Sequence, residues 1–334
     1  TRVRSSAASD VYKRQTPTWV RGMVSAVTTA TTTTPGAATL QEVDVPLIAL
    51  TANPRNLLDG GDFGTNPWQM GTSGFNGTNT AKILADRFAA IAPANNTWVA
   101  QRSANTDIAG FSAAFQWGRS STDTHTGGLT FGQVVESMDS IRCQGLPVSL
   151  SFYNKAGANF AAGASAGVLL AQIIAGTGVD DTFANLAAGS WTGATTVGSS
   201  LVTPGTTTKF VGPIAGVVPA NATQLGVLWS YQQSAGTTAG ANEWLQFMGI
   251  QLEIGGMTPF EHLDVAEVIN ICTRYLQVIS EPTAGIAIGP AAFSAASIAQ
   301  VHVPLPAPMR KAPTVTFTAG GFAIADSALG AHTI

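Results

Sequence analysis

An all-β sandwich is the fold class this sequence predicts, and three observations predict it. The 334 residues include 36 glycines and 17 prolines, which interrupt the chain too often for helix bundles or coiled coils. From Asn56 to about His262, nine strand-length apolar runs are separated by turn-rich segments, the texture of two stacked sheets. Several of these runs alternate apolar with polar residues, the period of two that buries one face of a strand.

The remaining composition narrows the function classes. Charged residues make up 10% of the chain, against about 25% in an ordinary globular protein, so Thr, Ser, Asn, Gln and Gly must supply the polar surface. Sixteen basic and nineteen acidic residues leave no positive excess for phosphate backbones, and no nucleic-acid partner is expected. The longest apolar run, Ala166 to Ala175, is short and carries Gln172, so no membrane insertion is expected. Two cysteines, Cys143 and Cys272, can build neither a disulfide framework nor a four-thiolate zinc site. They read as reduced and buried, with a single bridge between them as the alternative.

At the start of the chain, residues 1–15 stand apart. SSAASDVYKRQ, residues 5–15, is similar to the translation of a sequencing-library adaptor that recurs in metagenomic reading frames, and it is set aside as an artefact. Arg2, Arg4, Lys13 and Arg14 against Asp10 give residues 1–15 a charge of +3, so the rest carries −6 where the whole carries −3. Residues 16–54 read as an upstream tether with short strands, because Thr28 to Thr39 (TTATTTTPGAAT) crowds threonine with Pro and Gly.

The strands then follow in order: Arg87–Ile91, Trp98–Ser103, Phe111–Trp117, Leu129–Glu136, Val148–Tyr153, Val168–Ala175, Lys209–Pro213, Gln224–Tyr231 and Trp244–Ile254. Phe111, Ala113, Phe115 and Trp117 fall on one face, and Val148, Leu150 and Phe152 alternate with Ser149, Ser151 and Tyr153. The longest run sets Trp244, Gln246, Met248, Ile250, Leu252 and Ile254 against Leu245, Phe247, Gln251 and Glu253, and its length predicts a central strand. Asp264 followed by Val265, with Glu267 three residues on, starts a helix that Pro282 stops. Val265, Val268, Ile269, Cys272 and Leu276 share its apolar face. Strand-like pieces return at Ile286–Ile288, Ile298–Val303 and Thr314–Thr318, a small β-rich C-terminal module.

Two segments frame the sandwich: NLLDGGDFGTNPWQMGTS (Asn56 to Ser73) and GIQLEIGGMTPFEHLDVAEVINICTRYL (Gly249 to Leu276). Both resemble bacteriophage tail-fibre and virion-tip proteins, whose jelly-roll domain is similar to galactose-binding and carbohydrate-binding modules. ADRF (Ala85 to Phe88), FGQVVES (Phe131 to Ser137), PVSLSFYNKA (Pro147 to Ala156), TQLGVLW (Thr223 to Trp229) and VPLPAPMRKAPTVTFT (Val303 to Thr318) extend the likeness to about Thr318. Met70 and Thr273 depart from it, standing where a basic residue and a Gln are expected. The resemblance implies a jelly-roll β-sandwich over residues 55–262, followed by a helix and a truncated tail-fibre module over residues 263–334.

Catalytic chemistry finds little support. Gly163-Ala164-Ser165-Ala166-Gly167 matches a nucleophile-elbow pattern, but the preceding strand ends near Lys155 and the match reads as loop. His125, His262, His302 and His332 lie far apart in sequence. Between Gly157 and Gly240 the acidic residues are Asp180 and Asp181, which leaves few carboxylate pairs for glycoside hydrolysis. No cofactor is expected. The resemblance allows a structural calcium ion near the paired domain ends, with Asp62 and Glu253 as metal ligands or Asp180 and Asp181 in that role; no D-x-D-x-D-G loop accompanies them.

Aromatic residues are the remaining binding candidates, since rings stack on the C–H faces of sugars while amides pair with hydroxyls. Trp229 reads as core; Trp68, in NPWQ, fits either role by its local sequence, and the resemblance implies that it packs at the domain edge. Trp191, in the turn-rich GSWTG, and Tyr231, beside Gln232 and Gln233 at a strand end, are the expected ligand-binding residues. The expected function is host-glycan adhesion by a non-catalytic fibre protein, made in the bacterial cytoplasm and carried in the virion as a trimer with other tail proteins. A ligand-free structural virion part, or the binding module of a glycan-degrading enzyme, is the alternative. The Ala-rich, nearly uncharged stretch Ile286 to Val303 predicts self-association by burial between chains.

Overall fold

The computed structural model describes residues 55–72, 75–77, 81–91, 98–121, 128–160, 168–232 and 242–279. Beyond these it describes 291–295, 298–301, 305, 307–310, 312, 314–315, 323–325 and 331–333. The tether and residues 1–15 lie outside the described residues.

The strands are β1 (Phe75–Gly77), β2 (Lys82–Leu84), β3 (Phe88–Ile91), β4 (Trp98–Ala104), β5 (Ala113–Arg119) and β6 (Gly128–Val135). They continue with β7 (Pro147–Ala156), β8 (Leu169–Gly176), β9 (Thr195–Val202), β10 (Lys209–Val217), β11 (Gln224–Gln232) and β12 (Trp244–Ile254). Two six-stranded sheets result, the first in the order β1-β4-β5-β12-β7-β10 and the second in the order β2-β3-β6-β11-β8-β9. All their pairings are antiparallel. The fold is an all-β sandwich of the jelly-roll kind, as the sequence predicts.

Aromatic rings fill the space between the sheets. Phe131 lies 4.4 Å from Phe115, 5.2 Å from Phe88, 5.3 Å from Phe247 and 5.4 Å from Trp229, ring centre to ring centre. The loop over residues 55–72 closes one end by inserting Leu57, Leu58, Phe63 and Trp68 into the same core. It is tied to β12 by Leu57 N–H donating to the Leu252 carbonyl (2.7 Å) and by Ile250 N–H donating to the Gly61 carbonyl (2.9 Å). That pairing explains why the two segments of the family resemblance, far apart in sequence, meet in space.

The expected face of β12 needs correction. Leu245 and Phe247 enter the core, and beyond them Ile250 and Leu252 do so, so the alternation changes phase in mid-strand. The cause is a bulge between Met248 and Gln251, where Gly249 takes a φ of +59°, a left-handed conformation that favours glycine. Met248 thereby packs outward with Phe111 and Ala114. Phe111, expected to share a face with Phe115 and Trp117, precedes β5 through a turn at Gly110 (φ +92°) and joins this outer cluster. The strand is central, as its length predicts.

Among the described residues the helices are short: α1 (Ser137–Ile141), α2 (Phe183–Ala187) and α3 (Val265–Thr273). Asp264 caps α3 by accepting from Ala266 N–H at 2.8 Å. Of its expected apolar face, Val268 and Cys272 are buried while Val265 and Ile269 remain exposed; so short a helix meets the sandwich along a narrow line. Cys143 and Cys272 are both free and buried. In the C-terminal module two hairpins are described, β13 (Ala291–Ala295) with β14 (Ile298–Val301) and β15 (Ala323–Ala325) with β16 (Ala331–Thr333). Residues 286–288, 302–303 and 316–318 lie outside the described residues.

Candidate functional site

Trp191 and Tyr231 were expected in exposed loops, and the structure corrects both. Each is 4% exposed. Trp191 packs with Ile174, Leu186 and Leu228 on the outward side of the second sheet, and its indole N–H donates to the Thr182 carbonyl at 3.1 Å. It holds α2 on the sheet, because a turn-rich segment needs an apolar anchor to stay down. Tyr231 lies between the sheets, 4.9 Å from Phe160 and 5.4 Å from Trp117, since it continues the inward period of Val227 and Trp229. Gln232 pairs with Gly128 at the end of β11; its side chain and Gln233 lie outside the described residues.

Asp62 and Glu253 are engaged as turn caps. Asp62 Oδ1 accepts from Gly64 N–H, Thr65 N–H and the Thr65 hydroxyl at 3.1, 3.2 and 2.8 Å. Glu253 accepts from Gln251 Nε2, Thr258 N–H and the Thr258 hydroxyl at 2.9, 2.7 and 2.7 Å. Each carboxylate is thus bound by its own turn, with His262 Nδ1 4.0 Å from Asp62 Oδ2, and among the described residues no three His, Cys, Asp or Glu side chains are placed to hold a metal ion. Asp181 is bonded to Gln224, and Asp180 to Ser137 and Arg310. Ser165 lies outside the described residues.

The outward face of the first sheet brings together residues that no sequence motif marks. Strand register sets Gln101 opposite Gln116, Gln116 opposite Gln246 and Gln246 opposite Lys155. Three amides and an ammonium therefore cross four strands in one row, about 14 Å wide at about 4.8 Å per strand. Gln246 Nε2 donates to Gln116 Oε1 at 3.1 Å and to the Ser103 hydroxyl at 2.8 Å, which fixes the planes of the amides. Lys155 Nζ and the Thr208 hydroxyl donate to Asp107 Oδ2 at 2.7 and 2.5 Å. These bonds hold the Asp107 carboxyl below its ordinary range.

Aromatic rings flank the amide row. On one side Met248 pairs with Tyr153 and Tyr153 with Phe210; the two rings lie 5.1 Å apart and Phe210 is 46% exposed. Phe111 joins them 5.7 Å from Tyr153, with Phe260 and His262 beside it. On the other side is half-buried Trp244, two residues before Gln246. A Cβ at Gly157 would stand 2.8 Å from Trp244 Cε2, so the glycine makes the space in which the ring lies. From Trp244 to Met248 is about 14 Å along the strand. The surface offers ring faces at both ends and, between them, half-buried Gln101, Gln116 and Lys155 held in place by the buried Gln246, which suits a neutral polyhydroxyl chain longer than one ring. In sequence these are glutamines scattered among apolar strand residues, and strand register aligns them.

No protein-family model matches the chain, and no curated protein matches it. Solved structures similar to it include the enzymatically active domain of tailspike protein 4 of bacteriophage CBA120 (12% identity, TM-score 0.36, over 61% of this chain and 22% of that one). Others are the module TmCBM61 in complex with β-1,4-galactotriose (12% identity, TM-score 0.30, over 60% of this chain and 99% of that one) and the module CBM4 (12% identity, TM-score 0.28, over 47% and 78%). The chain thus spans 22% of the tailspike chain. At TM-scores this low the likenesses carry no argument about ligand or activity.

Proposed function

We propose that this chain is a non-catalytic adhesin of a phage tail fibre that binds host cell-surface glycans on the outward face of its first sheet. One observation carries the glycan reading: the row Gln101, Gln116, Gln246 and Lys155, set between Trp244 and the Tyr153–Phe210 pair. Rings at both ends and amides between them recognise an extended, mainly neutral oligosaccharide. The tail-fibre reading is supported by the resemblance of Asn56–Ser73 and Gly249–Leu276. With it come assembly as a trimer beside other tail proteins, synthesis in the bacterial cytoplasm and residence in the virion. Weak single sites repeated on a fibre multiply by avidity.

The test is a glycan array followed by calorimetric titration of the best oligosaccharide. A stacked ring contributes about 1–3 kcal/mol by analogy with other aromatic platforms, so Phe210→Ala and Tyr153→Ala should each weaken binding by about 5- to 150-fold. Phe210→Ala should leave the melting temperature within about 2 °C, because surface substitutions stay within about 0.5 kcal/mol. Unchanged affinity in both variants would refute the assigned face. Release of reducing sugar from the bound glycan would refute the non-catalytic reading.

A further inference from the structure

The outward face of the second sheet holds a cavity of about 220 Å³, on the far side of the sandwich from the amide row. Its floor is Ala89 and Gly132, paired across β3 and β6. Their neighbours Phe88, Ala90 and Phe131 belong to the core, so these two small residues face outward and leave the space open. A Cβ at Gly132 would stand 2.9 Å from Phe183 Cε2, which places the Phe183 ring directly at the floor as one wall.

Tyr275 is a second wall, beside Arg87, which also lines the cavity. The Arg87 guanidinium lies 3.5 Å from the centre of its ring, and Arg87 is fixed by Asp59 Oδ2 at 2.6 Å and the Val134 carbonyl at 3.2 Å. The Tyr275 hydroxyl is hydrogen-bonded to Glu136. At the rim Arg310 pairs with Asp180 and stands 3.9 Å from Glu136 Oε1, while its N–H donates to the Arg274 carbonyl at 2.9 Å. Asp181, also at the rim, is fixed by Asp181 N–H donating to Gln224 Oε1 at 2.8 Å and by Gln224 Nε2 donating back to Asp181 Oδ2 at 3.3 Å.

We infer that this cavity is a second binding site, separate from the amide row, which takes a single polyhydroxyl ring such as the terminal sugar of a glycan. Phe183 and Tyr275 present apolar surfaces to the C–H faces of such a ring. Carboxylate oxygens of Glu136, Asp180 and Asp181 accept from hydroxyls, and Arg310 donates to them. The volume lies below the roughly 300–1,000 Å³ of sites for drug-sized ligands, which selects one ring over a chain. Because its walls are fixed by ion pairs and hydrogen bonds, the site is preorganised, which lowers the entropy cost of capturing so small a ligand.

Saturation-transfer NMR on the full chain, with the methyl glycosides of glucose, galactose and N-acetylglucosamine at millimolar concentration, tests this. Saturation should reach the ring protons of at least one. Ala89→Leu, which fills the floor, and Ile83→Trp, which blocks the mouth from the outward position opposite Ala89, should each cut the signal at least fivefold. Absence of transfer to all three probes would overturn the inference, as would a signal that persists in whichever of the two blocking variants melts like the wild type. Oligosaccharide binding at the amide row should survive both blocking variants, so the two sites fail separately.

Discussion

Replacing Trp191 by alanine should damage the fold and not merely a surface. The ring is 4% exposed and packs against Ile174, Leu186 and Leu228. It lies against two glycines: ideal Cβ positions at Gly226 and Gly176 would come within 3.0 and 3.1 Å of its ring atoms, so no side chain beneath can relax into the void. Its hydrogen-bond acceptor, the Thr182 carbonyl, also accepts from Leu186 N–H at 3.1 Å, so losing the indole leaves no orphaned group. The cost is therefore cavity and transfer energy, within the range of about 3–5 kcal/mol for truncating a buried aromatic side chain to alanine, and about 4 is the central expectation. For a domain of this size each kcal/mol moves the melting temperature by about 2–4 °C, so a fall of about 8–16 °C is expected. Calorimetry and urea unfolding measure it. A Trp191→Ala protein that melts within about 3 °C of the wild type and has lost glycan binding would refute this account and restore an exposed, ligand-facing ring.

Gly249→Ala should cost at least about 2 kcal/mol in urea unfolding, because the φ of +59° strains an L-residue and the new methyl would stand 2.7 Å from Phe111 Cζ; a neutral result would show that the bulge is adaptable. Burial raises the Asp86 carboxyl above 3.8 although Gln69 and Trp68 hydrogen-bond it. Its contribution to stability is thus present below that value and lost as pH rises through the raised one. Relative to wild type, Asp86→Asn should gain stability as pH rises above 3.8, and a pH-independent difference would count against it. Burial pushes the Cys143 thiol up to about 11 and raises Cys272 further. Neither should react with a thiol reagent at about pH 8 in the native protein, while both should react in denaturant; a rapid native reaction would contradict the buried placement.

The sequence by itself determined the sandwich. Alternation in Val148, Leu150 and Phe152, the spacing of turns, the length of the Trp244–Ile254 run and the Asp264 cap are local properties, dictated by the strand period and by backbone donors that need partners. Strands without that signal, such as the edge strand Thr195–Val202 with its threonines and serines, went unread, because an edge strand exposed on one side has little apolar pattern to show. Tertiary structure alone decided which rings meet solvent. Trp191 sits in a loop by every local sign, yet a loop folded back on a sheet buries its anchor, and Tyr231 ends a strand that stays inside the sandwich. The amide row exists only through register: Gln101, Gln116, Gln246 and Lys155 are separated by up to 145 residues, and antiparallel pairing across four strands puts them side by side. The phase of β12 turned on one glycine, whose left-handed φ moved Met248 outward and Ile250 inward, a choice made by the bulge and its neighbours and invisible in a hydrophobic count.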